Sequence, residues 1–281
     1  MKLHYPLTVP DSLIQNFATN GYVVTPNVLT SQEIDRYSLA VDLAVDRRRA
    51  GDHRELSEKT RYEQSFLQCM RLWETEPDVC GLSLHPGLAG IAAQLLGVKK
   101  VILWQDQALY KEAGGAETTP HQDQPFWPIS ESPMVSAWIP FDAIYAGNGA
   151  MAYVPGSHKA GRLKVVDITH STAPYDILND PALGDSELET IAINPGSVVW
   201  HHGMTVHAAS ENASEQTRRA FTVVFLDGEA RRTKAWPSFP LDRAEISVGD
   251  RVAGVGLPQV WPPLSKRPKP PSNIGRALGP Q

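Results

Sequence analysis

The sequence predicts a mostly β domain with flanking helices, a β-sandwich backed by helices. Three observations carry this expectation. Helix-start and helix-stop signals cluster before Val98. From Val98 onward, short runs rich in β-branched and aromatic residues are separated by Gly, Pro and Asn. Their even spacing suits two packed antiparallel sheets.

The elements follow in order. Asp11-Ser12 is expected to cap a helix over residues 12–20 that stops at Gly21. Tyr22-Val23-Val24 reads as a short strand. Thr30-Ser31-Gln32-Glu33 has the form of a capping box and starts a helix running to about Ala50. Leu39 and Leu43 are assigned to its buried face. A third helix is expected over residues 86–96, ending at Gly97. No pattern dominates between Gly51 and Cys80. Strands are expected at residues 101–111, 135–141, 150–154, 189–193, 197–202 and 219–226. One domain is expected over residues 1–261: a helical part to about residue 97, a β core over about 98–230, and an extension to 261. The tail from Pro262 is rich in Pro and cations and is expected to be extended or disordered.

Composition narrows the class. The 281 residues are 42% hydrophobic and 20% charged, as in ordinary folded proteins. The net charge is −5 and no long basic run appears, which argues against a nucleic-acid partner. Cys69 and Cys80 are the only cysteines, too few for a disulfide scaffold. The opening MKLHYPLTVPDSLIQ lacks the apolar stretch of a secretory signal. No apolar run approaches the ~18 residues that would span a bilayer. A cytoplasmic protein without a membrane partner is expected; the oligomeric state is open.

The chemistry centres on His121-Gln122-Asp123 in TTPHQDQPFW. On a strand, residues i and i+2 share a face, so both outer side chains can reach one ion. Pro120 and Pro125 argue against a helix there. A second imidazole from WHHGMTVHAASEN would complete two His and one carboxylate, a set that leaves half of an octahedral iron(II) shell open. Dioxygen and a co-substrate can occupy that half. His201, His202 and His207 compete for the role: the first two end an apolar strand, whereas His207 follows the turn at Gly203. Arg218 presents a planar fork suited to a carboxylate, such as the far end of 2-oxoglutarate. Arg219 would face the other way on the same strand, toward solvent or a surface carboxylate. A solvated strand face would also explain the Arg pair, and H-x-D alone is a weak motif in a chain with nine His. His53-Arg54-Glu55 reads as charged surface. Gln105, Gln107, Leu109 and Lys111 share one strand face, and Gln105 is a candidate for the co-substrate. Gln122, Gln124, Phe126 and Trp127 are assigned to a pocket mouth tolerant of apolar or aromatic groups, with Trp236 and Phe239 covering it.

These segments, taken in order, resemble the phytanoyl-CoA dioxygenase family. The resemblance runs from Asn20 to Phe225. It includes F-x-x-x-G-Y at residues 17–22, L-T-x-x-E-I at residues 29–34, Gln105 to Lys111, and His121-Gln122-Asp123. It continues through Ala137-Trp138-Ile139-Pro140, Asn148-Gly149-Ala150, Pro155-Gly156-Ser157-His158, Pro195-Gly196-Ser197 and Asn212-Ala213-Ser214, ending at Arg218-Arg219-Ala220. It implies a double-stranded β-helix, a cupin-like jelly roll with the metal at its open mouth. It implies His121, Asp123 and His207 as iron ligands and Arg218 as the anchor of the 2-oxoglutarate C5 carboxylate. It places Trp138 near the co-substrate and His202 beside the pocket without a ligand role; His158 belongs to a structural turn. Ala209 departs from the Ser that many members carry there. The implied reaction is iron(II)- and 2-oxoglutarate-dependent hydroxylation of an unactivated C–H bond in a small organic metabolite, releasing succinate and carbon dioxide. Halogenating relatives lack the carboxylate that Asp123 supplies. Two other readings stand beside this one. A zinc hydrolase leaves Arg218 and the Pro-Gly-Ser-His turn without roles. A non-catalytic metal-binding jelly-roll module would keep the ion but not turn over.

Overall fold

The computed structural model describes residues 7–171 and 173–272. The first six residues and residues 273–281, on which parts of the leader and tail expectations fall, lie outside the described residues. Helix α1 spans Asp11–Asn20 and ends at Gly21, whose φ of 79° closes the turn onto the Phe17 carbonyl. The expected side-chain cap is absent: Pro10 takes the cap position, and Asp11 sits in the first turn, where its charge suits the helix dipole. Strand β1, Tyr22–Thr25, follows at once.

Helix α2, Ser31–Arg49, starts with the expected capping box. Thr30 Oγ1 accepts from the Glu33 N–H at 3.2 Å, and the Glu33 carboxylate accepts from the Thr30 N–H at 2.8 Å. Thr30→Ala is expected to cost about 1 kcal/mol, read from the urea midpoint at unchanged m-value. The buried face of α2 corrects the sequence reading. Ile34, Tyr37, Ala40, Val41, Ala44 and Val45 point inward, while Leu39 and Leu43 are 60% and 49% exposed. The stripe is carried by small and β-branched residues one and two positions on from each leucine.

The uninterpreted stretch before Cys80 holds helix α3, Arg61–Ser65, and strand β2, Leu67–Met70. A short helix α4, Cys80–Ser83, leads to α5, Pro86–Leu96, with Pro86 in its first turn and Gly97 in the left-handed region as expected. Then come β3 (Val101–Lys111), β4 (Thr118–His121), β5 (Met134–Pro140), β6 (Met151–Tyr153), β7 (Glu189–Thr190), β8 (Val198–His202), β9 (His207–Ala209) and β10 (Arg218–Asp227). Helix α6, Phe239–Arg243, and β11, Gln259–Trp261, complete the elements. From Pro262 to Ser272 no helix or strand forms. The strand expected over 189–193 keeps two residues, with Ile193 making a single bridge to Ile144. None of the helices is long and apolar enough to cross a membrane among the described residues.

Two antiparallel sheets result. The larger has the order β1-β8-β5-β10-β3-β11, with β2 added on β3; the smaller has the order β4-β9-β6-β7. The mostly β jelly-roll core with flanking helices is therefore as the sequence implied. On β10, Phe221, Val223 and Phe225 pack against the helices in a core that includes Val41, Leu88, Ile91 and Leu103. The alternate residues, Arg218, Ala220 and Thr222, face the smaller sheet. Trp138, Tyr153, Val199 and Ala220 fill the space between sheets. The same alternation turns Gln105, Gln107 and Leu109 of β3 into that space, which opens into a cavity at one end.

Candidate metal centre

Antiparallel pairing of β4 with β9 sets His121 directly opposite His207. Their rings lie 4.4 Å apart, centroid to centroid. Asp123 reaches them from a different geometry than the sequence suggested. Strand β4 ends at His121, and Asp123 sits at helical dihedrals, φ −75° and ψ −53°, ahead of a 3₁₀ turn over Gln124–Phe126. A turn, not one strand face, aims the carboxylate. Its Oδ1 stands 3.6 Å from Nε2 of both His121 and His207. One donor atom from each of the three lies within 4.8 Å of the others.

The far ring nitrogens fix the tautomers. His121 Nδ1 lies 2.8 Å from the Thr119 carbonyl, and His207 Nδ1 lies 3.0 Å from the Thr205 carbonyl. Each carbonyl can only accept, so Nδ1 carries the proton and the Nε2 lone pair points inward, as a metal requires. Burial pushes His207 down to about 3, against the opposing pull of Asp123, so its imidazole stays neutral. Burial alone would raise Asp123, yet it lies well below the usual carboxylate range; with the His121 and His207 protons on Nδ1, His201 Nε2 at 3.3 Å is the ring nitrogen left to donate to it. Three imidazoles around one partly buried carboxylate suit a divalent cation.

His201, not His202, is the third imidazole. Its Nε2 lies 3.3 Å from Asp123 Oδ2, where Ser136 Oγ also donates at 3.3 Å. His202 points to the other side of β8, packing on Phe17 and His158 while its Nδ1 accepts from the Met204 N–H. That corrects its assignment to the pocket, and strand alternation is the reason. Gln122 and Gln124 are corrected too. Gln122 Nε2 donates to the Gly161 and Met204 carbonyls at 2.8 and 2.7 Å, and its Oε1 accepts from the Leu163 N–H. Gln124 Nε2 donates to the Ser130 and Ser132 carbonyls, both at 2.9 Å. The two amides clamp the turn on either side of Asp123 and do not line the cavity. Trp236 is 45% exposed beside Lys234, and Phe239 stacks on Arg243; neither covers the cavity.

The cavity holds about 290 Å³ and meets the expected Gln105, Phe126, Trp127, Trp138 and Arg218 alongside the His–Asp–His cluster. Residues from the uninterpreted segment, Tyr62, Phe66, Gln68 and Met70, form its other wall. Gln68 and Met70 belong to a four-residue strand, too short for a period-two pattern to stand out, and Tyr62 and Phe66 precede it. His158 is structural, with Nε2 at 3.3 Å from the Ala18 carbonyl. Its turn packs so closely on Gly21 that a Cβ there would lie 2.4 Å from the His158 ring.

Arg218 lies at the inner end of the cavity, 3% exposed. Its Nη1 donates to the Leu109 carbonyl at 2.9 Å, its guanidinium carbon stands 5.4 Å from the Trp138 ring, and its buried Nε has no hydrogen-bond partner. Burial lowers it to about 10, opposed by Asp142, which leaves it cationic at neutral pH. Arg219 turns outward to Asp142 and Asp42 at 2.6 and 2.7 Å, as its alternation requires.

Lys111 pairs with Arg218 across β3 and β10 and is fully buried. Its ammonium donates to the Ala116 carbonyl. Burial first, then the Arg218 charge, pushes it down to about 7, against Glu117 and Glu211. A base lowered in the folded state binds fewer protons than the unfolded chain between that value and the unfolded ~10.4, so stability rises with pH across this window. Lys111→Met should therefore flatten the rise in unfolding free energy between about pH 7.5 and 9.5, by at most about 1.4 kcal/mol per pH unit. Urea titrations of both proteins at several pH values read this slope directly.

Comparison with known proteins agrees with this architecture. The sequence profile of the family described as phytanoyl-CoA dioxygenase (PhyH) matches residues 17–220. A phytanoyl-CoA dioxygenase of Arabidopsis thaliana is 26% identical over 49% of the chain, a match that spans about half, 48%, of that relative. The phytanoyl-CoA dioxygenase domain-containing protein 1 homolog of Caenorhabditis elegans is 25% identical over 80% of this chain and 92% of its own. Among solved structures, the non-heme alpha ketoglutarate dependent carbocyclase SnoK from nogalamycin biosynthesis superposes with a TM-score of 0.73 and 26% identity, covering 89% of this chain and 96% of SnoK. The family profile covers well over half of the residues, including His121, Asp123, His207 and Arg218, and the chain belongs to the phytanoyl-CoA dioxygenase family.

Proposed function

We propose that this oxygenase binds iron(II) through His121, Asp123 and His207, anchors 2-oxoglutarate on Arg218, and hydroxylates a C–H bond of a small organic substrate. The observation that carries the reading is Arg218. A buried guanidinium with an unpartnered Nε and no salt-bridged carboxylate among the described residues shares one cavity with a three-donor metal cluster. Burying an unpaired charge is costly unless an anion completes it.

The residues fit both groups. Two Nε2 lone pairs and a carboxylate oxygen converge on one point, and the hydrogen bonds at both Nδ1 atoms keep those lone pairs available. Bound iron(II) and 2-oxoglutarate supply the oxidising chemistry, with dioxygen consumed and succinate and carbon dioxide released. The chain supplies position and exclusion of water. Gln122 and Gln124 fix the turn that presents Asp123, and His201 and Ser136 hold its outer oxygen. Trp138 lies beside the Arg218 guanidinium and limits where a carboxylate can approach it. Asp123 fills the third ligand position, which favours hydroxylation over transfer of a bound halide.

Succinate formation tests this reading. Purified protein with iron(II), 2-oxoglutarate and dioxygen is expected to release one succinate per 2-oxoglutarate consumed. Zinc(II) in place of iron should give none. Turnover with zinc would favour a hydrolase, and tight iron binding without succinate would favour a binding module.

A further inference from the structure

We infer that Gln107, held by Gln68 and Tyr62, is the donor that selects the substrate, and that the substrate is an uncharged ring compound presenting an oxygen acceptor. The inference rests on the proposed iron and 2-oxoglutarate sites, which engage the charges discussed next.

The cavity wall contributed by β2 and β3 carries a polar ladder. Tyr62 Oη donates to Gln68 Oε1 at 3.0 Å, and Gln68 Nε2 donates to Gln107 Oε1 at 2.6 Å. Burial and the nearby Asp123 charge raise the Tyr62 phenol, so it keeps its proton. In this arrangement Tyr62 donates at one end of the ladder and Gln107 accepts at the other. Gln107 therefore reaches the cavity with its oxygen accepting from Gln68 and its Nε2 hydrogens free of any described acceptor. An amide fixed at one end and open at the other is a directed donor. It suits a carbonyl, ether or hydroxyl oxygen.

Charge defines the rest. Among the described residues lining the cavity, Asp123 and Arg218 are the only Asp, Glu, Lys or Arg. The metal and the co-substrate engage both. A carboxylate, phosphate or ammonium on the enclosed part of a substrate would lose its water and gain no counter-charge. Beside Tyr62, Arg54 is paired with Asp52 and Glu63 at 2.8 and 2.7 Å, and Lys59 with Glu112 at 2.5 Å. The remaining surface is aromatic. Tyr62 and Phe66 meet edge to face at 5.0 Å, and Phe126 and Trp127 stand near His121 and Trp104. Such surfaces favour flat rings. A volume of about 290 Å³ is at the low end for a single small-molecule site, and here it also receives the co-substrate. One or two rings fit beside it.

Three probes separate the parts of this inference. Chromone has two rings and a carbonyl acceptor; chroman lacks the carbonyl; chromone-2-carboxylate adds a charge. Each is titrated anaerobically into protein loaded with iron(II) and 2-oxoglutarate, with tryptophan fluorescence as the readout. Chromone is expected to bind saturably and at least about tenfold tighter than its carboxylate. Gln107→Leu should weaken chromone by about tenfold and leave chroman unchanged, and Gln68→Leu should weaken chromone less. The 2-oxoglutarate constant, measured separately by calorimetry, should be the same in both variants, which also reports that they are folded. Tighter binding of the carboxylate, no saturable chromone binding, or equal chromone constants in wild type and Gln107→Leu overturns the inference. If 2-oxoglutarate fails to bind while the chromone pattern holds, the oxygenase reading falls and the ring site stands. If 2-oxoglutarate binds and the chromone pattern fails, the ring site alone falls.

Discussion

Arg218→Ala is expected to raise the 2-oxoglutarate constant by at least about a hundredfold. Hydrogen bonds to a charged group contribute about 1.5–3 kcal/mol each, and a guanidinium fork makes two. A hundredfold change needs only about 2.8 kcal/mol, so losing the fork exceeds that threshold. In the structure Nη1 is engaged with the Leu109 carbonyl, which leaves Nε and Nη2 as the parallel donors. Arg218→Lys should recover only part of the loss, because an ammonium cannot present two coplanar donors. Iron affinity without co-substrate should hardly change, since Arg218 is no ligand in this arrangement. Arg219→Ala is the control from the opposite strand face. It removes surface ion pairs to Asp142 and Asp42 and should lower stability by no more than about 1 kcal/mol, with the 2-oxoglutarate constant intact. The measurement is succinate formation against 2-oxoglutarate concentration for the wild type and the three variants. If Arg219 proves the sensitive position, the strand faces are assigned the wrong way round. If neither matters, Arg218 is not the anchor and the oxygenase reading loses its main support.

The parts of this protein that sequence reveals are those governed by local rules. The capping box at Thr30, the stop at Gly97 and the long strands β3 and β10 each follow from residues within a few positions of one another. The stretch around α3 and β2 does not. Four- and five-residue elements carry too little periodicity, and β2 is stable only because β3 lies beside it. The buried face of α2 does not follow hydrophobicity alone: Leu outranks Ala, yet the packing selects the narrower Ala40–Ala44 side.

The same division runs through the site. Residue types and order point to two imidazoles and a carboxylate, but they leave His201, His202 and His207 as rivals for the second imidazole; the choice of His207 rests on the family resemblance. Which neighbours face the site cannot be read from them, because that depends on register. His201 and His202 are adjacent in sequence and face opposite sides of β8, and only the pairing with β1 and β5 decides which one meets Asp123. Gln122 and Gln124 look like pocket residues beside a metal motif. Their amides instead satisfy carbonyls of the turns they join, which a sequence cannot show because those turns come from distant segments.

The decisive result for the metal is expected from His207→Ala, with His202→Ala as its partner. Purified protein should bind one iron(II) per chain anaerobically. Removing a ligand should cost more than the ~10–100-fold typical of residues that only support a ligand, so His207→Ala, His121→Ala and Asp123→Ala should each lose over about a hundredfold in iron affinity and all turnover. Asp123→Gly opens a coordination position and should likewise collapse hydroxylation. His201→Ala removes the contact to Asp123 Oδ2 and should fall within the supporting range, about 10–100-fold. His202→Ala should leave iron affinity intact, because its ring packs against Phe17 and His158 on the far side of β8. Its loss should appear in the unfolding midpoint instead. The His207 imidazole is neutral in the folded protein down to about pH 3, so no proton need leave that ring when iron binds near neutral pH. Iron titrations of the six variants, followed by metal analysis after desalting, give the ranking. Should His202→Ala abolish binding while His207→Ala spares it, the ligand assignment is wrong. Should His201→Ala match His207→Ala in severity, His201 is itself a ligand and the centre holds three imidazoles rather than two.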